Sequence, residues 1–126
     1  MLLPVVLYGA ASLAHHVHNA VYLQDYPNLP PSLSVTRIGI AWLVVAAVGL
    51  AGYLLYRRRH RRIGLLLLAI YGALGLYGLL HYTLAPMTVH TRAMNASIWL
   101  EVSTAAILLL AIARRVVRGP LTTDGN

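Results

Sequence analysis

The sequence predicts an all-α fold, a polytopic four-helix bundle that crosses a membrane. Three observations support this prediction. The mean hydropathy is +0.68 and 59% of the 126 residues are hydrophobic, against about 45–50% in soluble domains. The hydrophobic residues gather in four long stretches with almost no charge, and a spanning helix needs about 20 such residues. The arginines stand at the ends of these stretches, where signals for membrane topology lie.

The four stretches set the expected spans and the domain boundary. Spans are expected at about 2–23, 38–56, 63–84 and 96–113, which makes residues 1–113 one bundle. Prolines mark the first and third connectors, and an arginine-rich run forms the second. Residues 114–126 are basic and end in small polar residues, which predicts a flexible cytoplasmic tail.

Arginine placement predicts the orientation of the bundle. Eight arginines lie in the second connector and after the fourth span, whereas the opposite side holds only Arg37 and Arg92. The positive-inside rule therefore places both termini in the cytoplasm. The connector arginines should also contact anionic lipid headgroups; they are Arg57, Arg58, Arg59, Arg61 and Arg62. Because topology explains the charge, we expect the bilayer of a bacterial inner or plasma membrane as the partner, and no nucleic acid.

The two halves of the chain resemble each other, which suggests two similar transmembrane hairpins. The motif Tyr-Gly-Ala occurs in spans one and three, and each copy is followed by a histidine, His18 or His81, at the same spacing. Spans two and four share Trp-Leu-x-Val, with Val44 and Glu101 at the third position. Parallel repeats of this kind are known in membrane proteins. Chance similarity in a sequence rich in Leu, Ala and Gly is the alternative.

A few histidines and one acid interrupt the apolar spans. Ionisable groups are costly inside a bilayer, so they are candidates for a functional site. Helix periodicity puts His15 and His18 on one face, and the rise per residue puts them level with His81 and Glu101 in the outer half of the membrane. We expect these four to bind a metal ion, with His90 of the outer loop closing over them. Imidazole and carboxylate ligands suit zinc, iron or copper.

Other residues and other functions fit the same pattern. Asn19, Tyr22 and Tyr82 are expected to hold the ligands by hydrogen bonds. A haem b with His18 and His81 as axial ligands is a second cofactor hypothesis. A hydrogen-bonded core without an ion is the alternative, in a non-catalytic subunit or assembly partner of a larger membrane complex, or in a homo-oligomer. Whether the chain is an enzyme stays open; a catalytic metal would act on a lipid-like substrate that enters from the bilayer.

Overall fold

The computed structural model describes residues 1–119, and these residues form helices and connecting turns without any strand. The α-helices are α1 (Leu2–Val21), α2 (Val35–Arg57), α3 (Arg61–Gly75), α4 (His81–Leu84) and α5 (Arg92–Arg118). A 3₁₀ segment, Leu76–Leu80, joins α3 to α4, so Arg61–Leu84 is one continuous rod. Because it is the third long helical element in the chain, we call it the third rod. A second 3₁₀ turn, Met87–Val89, lies in the outer connector.

Polar caps fix where two of the helices begin. The Ser34 hydroxyl accepts from the Arg37 backbone N–H, and the Thr91 hydroxyl accepts from the Met94 backbone N–H, which satisfies donors that have no partner inside the helix. At the other end, α5 continues to Arg118, so the first residues of the expected tail are helical. Arginines are favourable there because they oppose the negative end of the helix dipole. The rest of the expected tail, 120–126, lies outside the described residues.

Three of the helices are long and apolar enough to cross a membrane: Val35–Arg57, Arg61–Leu84 and Arg92–Arg118. Helix α1 has 20 residues, but its histidines and Asn19 make it less apolar than the other three. The prediction of an all-helical fold is therefore confirmed for the described residues, and three of its helices are compatible with a membrane protein. The fourth span, the duplication and the orientation stay predictions.

The helices form a ring in the order α1, α2, α3, α5, with little contact between α1 and α3 across the middle. The apolar core fills the half of the bundle near the α2–α3 connector, around Tyr8, Leu68 and Leu108. Large apolar side chains cover the outside, among them Leu43 and Leu66. Soluble monomers rarely expose so much apolar surface, whereas lipid tails accommodate it. The opposite half of the bundle is left for the polar residues.

A row of glycines on the third rod lets α1 and α5 approach it closely. A Cβ atom on Gly75 would lie 2.5 Å from Tyr8 Cε2 and 2.7 Å from Ala105 Cβ, so no larger residue fits without displacement. A Cβ atom on Gly78 would lie 3.2 Å from Glu101 Oε2. Small residues of this kind mark close helix packing in membranes. The 3₁₀ segment begins directly after Gly75 and packs against α5.

Candidate functional site

The centre of the site is a group of polar side chains from α1, α4 and α5. His15 Nε2 lies 3.6 Å from Glu101 Oε2. The Asn19 Nδ2 amide donates to His15 Nε2 at 3.0 Å and lies 3.4 Å from His81 Nε2. Both His15 and Glu101 are at least 95% buried. Three separate helices therefore contribute to one buried polar centre. Its residues are among the polar side chains that interrupt the apolar stretches of the sequence.

The hydrogen bonds assign the proton of three imidazoles to Nδ1. His16 Nδ1 lies 2.9 Å from the Ser12 carbonyl and His90 Nδ1 lies 3.1 Å from the Pro86 carbonyl; a carbonyl only accepts, so these nitrogens donate. Ser97 Oγ donates to the Met94 carbonyl and lies 3.2 Å from His15 Nδ1, so it accepts from that nitrogen. In their neutral forms, all three rings then carry the free electron pair on Nε2.

An electron-rich centre follows from this tautomer assignment. His15 Nε2 lies 3.6 Å from a carboxyl oxygen of Glu101, and both atoms are acceptors when the carboxyl group is ionised. Two neighbouring acceptors in a buried site attract a cation, a proton or a donor placed between them. The Asn19 amide donates to His15 Nε2 at 3.0 Å. On the other side of the carboxyl group, the His16 Nδ1–H lies 3.8 Å from Glu101 Oε1.

A ring of aromatic side chains covers the centre on its outer side. The Tyr26 ring lies 4.9 Å from that of His81 and 6.3 Å from that of His90, centroid to centroid. Its hydroxyl is 2.9 Å from His18 Nδ1. Burial raises the pKa of Tyr26 above its usual value, so the phenol keeps its proton. Tyr26 therefore acts as a neutral cover that joins the first connector to the third rod.

Hydrogen bonds also tie the two outer connectors to the helices below them. Asn28, which has a left-handed φ of 58°, donates to the Leu84 carbonyl at 2.9 Å. Tyr82 donates to Asn95 Oδ1 at 2.8 Å, and Asn95 Nδ2 donates to the Met87 carbonyl at 3.1 Å. Asparagine tolerates the left-handed region better than most residues. Asn28 and Met87 thus fasten the two connectors to α4 and α5, and the Tyr82–Asn95 bond joins these two helices to each other.

A cavity of about 240 Å³ opens beside the centre. Its polar wall includes Tyr8, His15, Asn19, His81 and Glu101, and the opposite side is apolar. Three buried polar atoms in or near this wall lack a well-formed hydrogen bond within residues 1–119; they are Tyr8 OH, Ser12 Oγ and Asn19 Oδ1. The Ser12 hydroxyl lies close enough to Tyr8 and Glu101 for weak hydrogen bonding only. His90 Nε2, in the outer cover, is also buried without a partner in the described chain. Buried polar groups without partners are rare, so these atoms point to a binding function.

Within residues 1–119, no three His, Asp or Glu side chains are arranged so that they could already hold a metal ion. The centre brings together His15, His81 and Glu101 of the expected ligands, with the Asn19 amide between the two imidazoles. His90 lies outside them, with its ring 6.2 Å from that of His81. A metal site would therefore require Asn19 to move.

The other predicted residues lie farther from the acid. His18 bonds to Tyr26 and stacks on Tyr22 at 4.7 Å, and Tyr22 is about half exposed. Tyr82 packs edge-on against His90. The arginines of the second connector are exposed at the opposite end of the bundle, as their expected contact with lipid headgroups requires; they are Arg57, Arg58, Arg59, Arg61 and Arg62.

Three contributors were not expected from the sequence: His16, Ser97 and Tyr26. Ser97 precedes Glu101 by one helical turn, so the i, i+4 rule could have placed it on the same face. His16 lies about 100° around the helix from His15, yet its ring lies near Glu101. Tyr26 lies in an irregular connector, where no periodic pattern signals its position.

Comparison with known proteins gives no relative from which a role could be transferred. No family model matches the chain, and no curated protein or solved structure matches it either.

Proposed function

We propose that the chain is an integral membrane protein whose His/Glu centre binds a transition-metal ion, with zinc, iron and copper as candidate metals. The three apolar helices support membrane insertion. We propose α1 as a fourth span, since its buried polar residues, Ser12 and His15, face the bundle and not lipid. Polar groups in spanning helices commonly face the interior.

The arginine distribution supports insertion into a bacterial inner membrane with both termini on the cytoplasmic side. This orientation puts the connector arginines at the cytoplasmic surface and the polar centre in the outer half of the bilayer. Duplication of a hairpin would explain why Tyr8 and Tyr71, the first residues of the two Tyr-Gly-Ala motifs, contact each other with ring centroids 4.4 Å apart.

One observation carries the metal proposal: His15 Nε2, which carries no proton in the neutral ring, lies 3.6 Å from Glu101 Oε2. Two ligands of a tetrahedral zinc ion at bond lengths of about 2.0–2.1 Å stand about 3.3 Å apart, so the two atoms are almost correctly spaced. Ser97 supports the His15 ring by accepting from Nδ1. Metal-binding histidines are usually oriented by such an acceptor.

His81 is the proposed third ligand. Its Nε2 and that of His15 both accept from the Asn19 amide group, which supplies hydrogen atoms where a cation would supply positive charge. We propose that binding of the ion displaces this amide. The fourth ligand position then faces the cavity, as the open position of catalytic zinc sites does.

A second candidate function is a structural core in a subunit or assembly partner of a larger membrane complex. The buried Asn19 Oδ1 without a partner in the described chain favours it. Turning the amide by 180° would let that oxygen accept from protonated imidazoles, and the hydrogen-bond network would close without an ion. This candidate predicts no metal affinity.

Haem b is the less favoured cofactor because of the position of Tyr26. Its ring contacts both proposed axial ligands, with centroids 5.8 Å from His18 and 4.9 Å from His81. A porphyrin between the two imidazoles would have to displace this buried side chain.

Equilibrium dialysis of the purified, metal-stripped protein against Zn²⁺ in detergent tests the proposal. We expect one zinc per chain with a Kd of about 1 µM or tighter. The matched control is His60→Ala, because His60 is exposed in the arginine connector and should not affect binding. Absence of saturable zinc binding, or loss of binding in the control, would contradict the proposal.

A further inference from the structure

The cavity beside the centre has one polar wall and one apolar mouth. Val45 of α2 and Leu74 and Tyr77 of the third rod line the mouth. Tyr77 is 64% exposed, and the other two are partly exposed. All three belong to helices apolar enough to cross a membrane, so in the proposed membrane setting the mouth faces lipid.

The 3₁₀ segment explains why the mouth exists. Helix α2 packs along α3, but it makes at most marginal contact with the 3₁₀ segment, which packs on α5 instead. A gap therefore opens between α2 and the rod at the height of Gly78, where the polar wall begins. Departures from α-helical geometry within a long helix often mark functional positions.

The charge of the cavity restricts what can enter. No arginine lines it, and Glu101 is its one acid. A phosphate or carboxylate headgroup would find no cation and would be repelled by the ionised form of Glu101, so burial of such a charge would be costly. The head of the ligand is therefore neutral.

The hydrogen-bonding groups restrict the ligand further. The polar wall is rich in acceptors, namely the imidazole Nε2 atoms and the carboxyl oxygens of Glu101. Tyr8 adds a fully buried hydroxyl whose neighbour in the described chain, the Ser12 hydroxyl, makes only a weak contact with it. A hydroxyl group suits this wall because it can donate to an acceptor and accept from the Tyr8 O–H at once. The volume of about 240 Å³ exceeds several-fold the ~30 Å³ of one water molecule, so a small head fits.

We infer that the cavity binds the hydroxyl-bearing head of a neutral membrane amphiphile, which enters laterally between α2 and the 3₁₀ segment and leaves its apolar tail in the bilayer. The inference rests on the proposed function, because the acceptors are those of the metal centre. A bound amphiphile would place its hydroxyl group next to the open ligand position of the proposed metal ion.

Photolabelling in phosphatidylcholine nanodiscs tests the inference, with an octadecanol that carries a diazirine near its hydroxyl group as the probe. We expect labelling of peptides that line the mouth, with competition by oleyl alcohol and much weaker competition by oleate or methyl oleate. Val45→Trp and Leu74→Trp narrow the mouth from opposite sides and should each reduce labelling about fivefold or more. Leu43→Trp, on the exposed surface of the same helix as Val45, should leave labelling within about twofold.

Two readouts separate this inference from the proposed function. Val45→Trp should lose labelling and keep zinc binding, whereas His15→Ala should weaken zinc binding about a hundredfold or more. Equal labelling of Val45→Trp, Leu74→Trp and the unmodified protein would overturn the inference, and so would competition by oleate equal to that by oleyl alcohol. Zinc binding would still stand in either case. If the protein does not bind zinc, but its labelling is still reduced by Val45→Trp and Leu74→Trp, the metal proposal is wrong and the amphiphile site is supported.

Discussion

Replacing His15 with alanine is expected to lower the zinc affinity by about a hundredfold or more, since removing groups that only orient a ligand already costs about 10–100-fold. The substitution removes the imidazole nitrogen that lies 3.6 Å from Glu101 Oε2. Zinc affinity is measured by competition with a chromophoric chelator. Circular dichroism in the same detergent checks that the helices are retained.

His18→Ala is the informative companion to this variant. The sequence makes His18 and His15 equal candidates because they share a helix face. In the structure, His18 bonds to Tyr26, and of these two residues His15 is the one that approaches the acid. We expect His18→Ala to change zinc affinity less than about tenfold. A larger loss in His18→Ala than in His15→Ala would show that the ligand set is wrong.

Asn19→Asp is expected to raise zinc affinity about tenfold or more, because a carboxylate supplies a further ligand where an amide donor had stood. Without metal, the same change should destabilise the protein by about 1–3 kcal/mol or more, since the two imidazole acceptors lose their donor. Thermal unfolding with and without Zn²⁺ measures both effects. The stabilisation by zinc should therefore be larger in Asn19→Asp than in the unmodified protein.

Asn19→Ala separates the loss of the donor from the gain of a ligand. It should reduce the metal-free stability as well, and it should raise zinc affinity less than Asn19→Asp does, because it removes the amide without supplying a ligand. If Asn19→Asp and Asn19→Ala respond to zinc no more than the unmodified protein does, the amide does not stand in the path of an ion, and the structural-core function gains support.

Most of the helix positions could be predicted from hydropathy alone. The span expected at 38–56 is α2, Val35–Arg57, and the span expected at 63–84 is the rod Arg61–Leu84. The observed helices are longer because backbone hydrogen bonding continues past the apolar residues into the polar residues that flank them, such as Arg57 at the C-terminus of α2, where a cation is favourable. Hydropathy reports only the apolar length, and it therefore misses these outer turns.

Proximity of His15 and Glu101 could also be predicted, because a constant rise per residue puts both at one depth. The direction in which the side chains beyond Gly75 point could not be predicted. A 3₁₀ helix turns about 120° per residue against about 100° in an α-helix, so the five residues of the segment change where His81 points. Apolar periodicity is too uniform in this stretch to signal the change, and the cover by Tyr26 depends on an irregular connector.

X-ray absorption at the zinc K-edge of the purified, zinc-loaded protein reports which atoms bind the ion. We expect a first shell of nitrogen and oxygen atoms at about 2.0–2.1 Å, with outer-shell scattering from two imidazole rings, and loss of the signal from one ring in His15→Ala. A shell of oxygen atoms without imidazole scattering, or a spectrum unchanged by His15→Ala, would contradict the claim that His15 and His81 meet Glu101 around one metal ion.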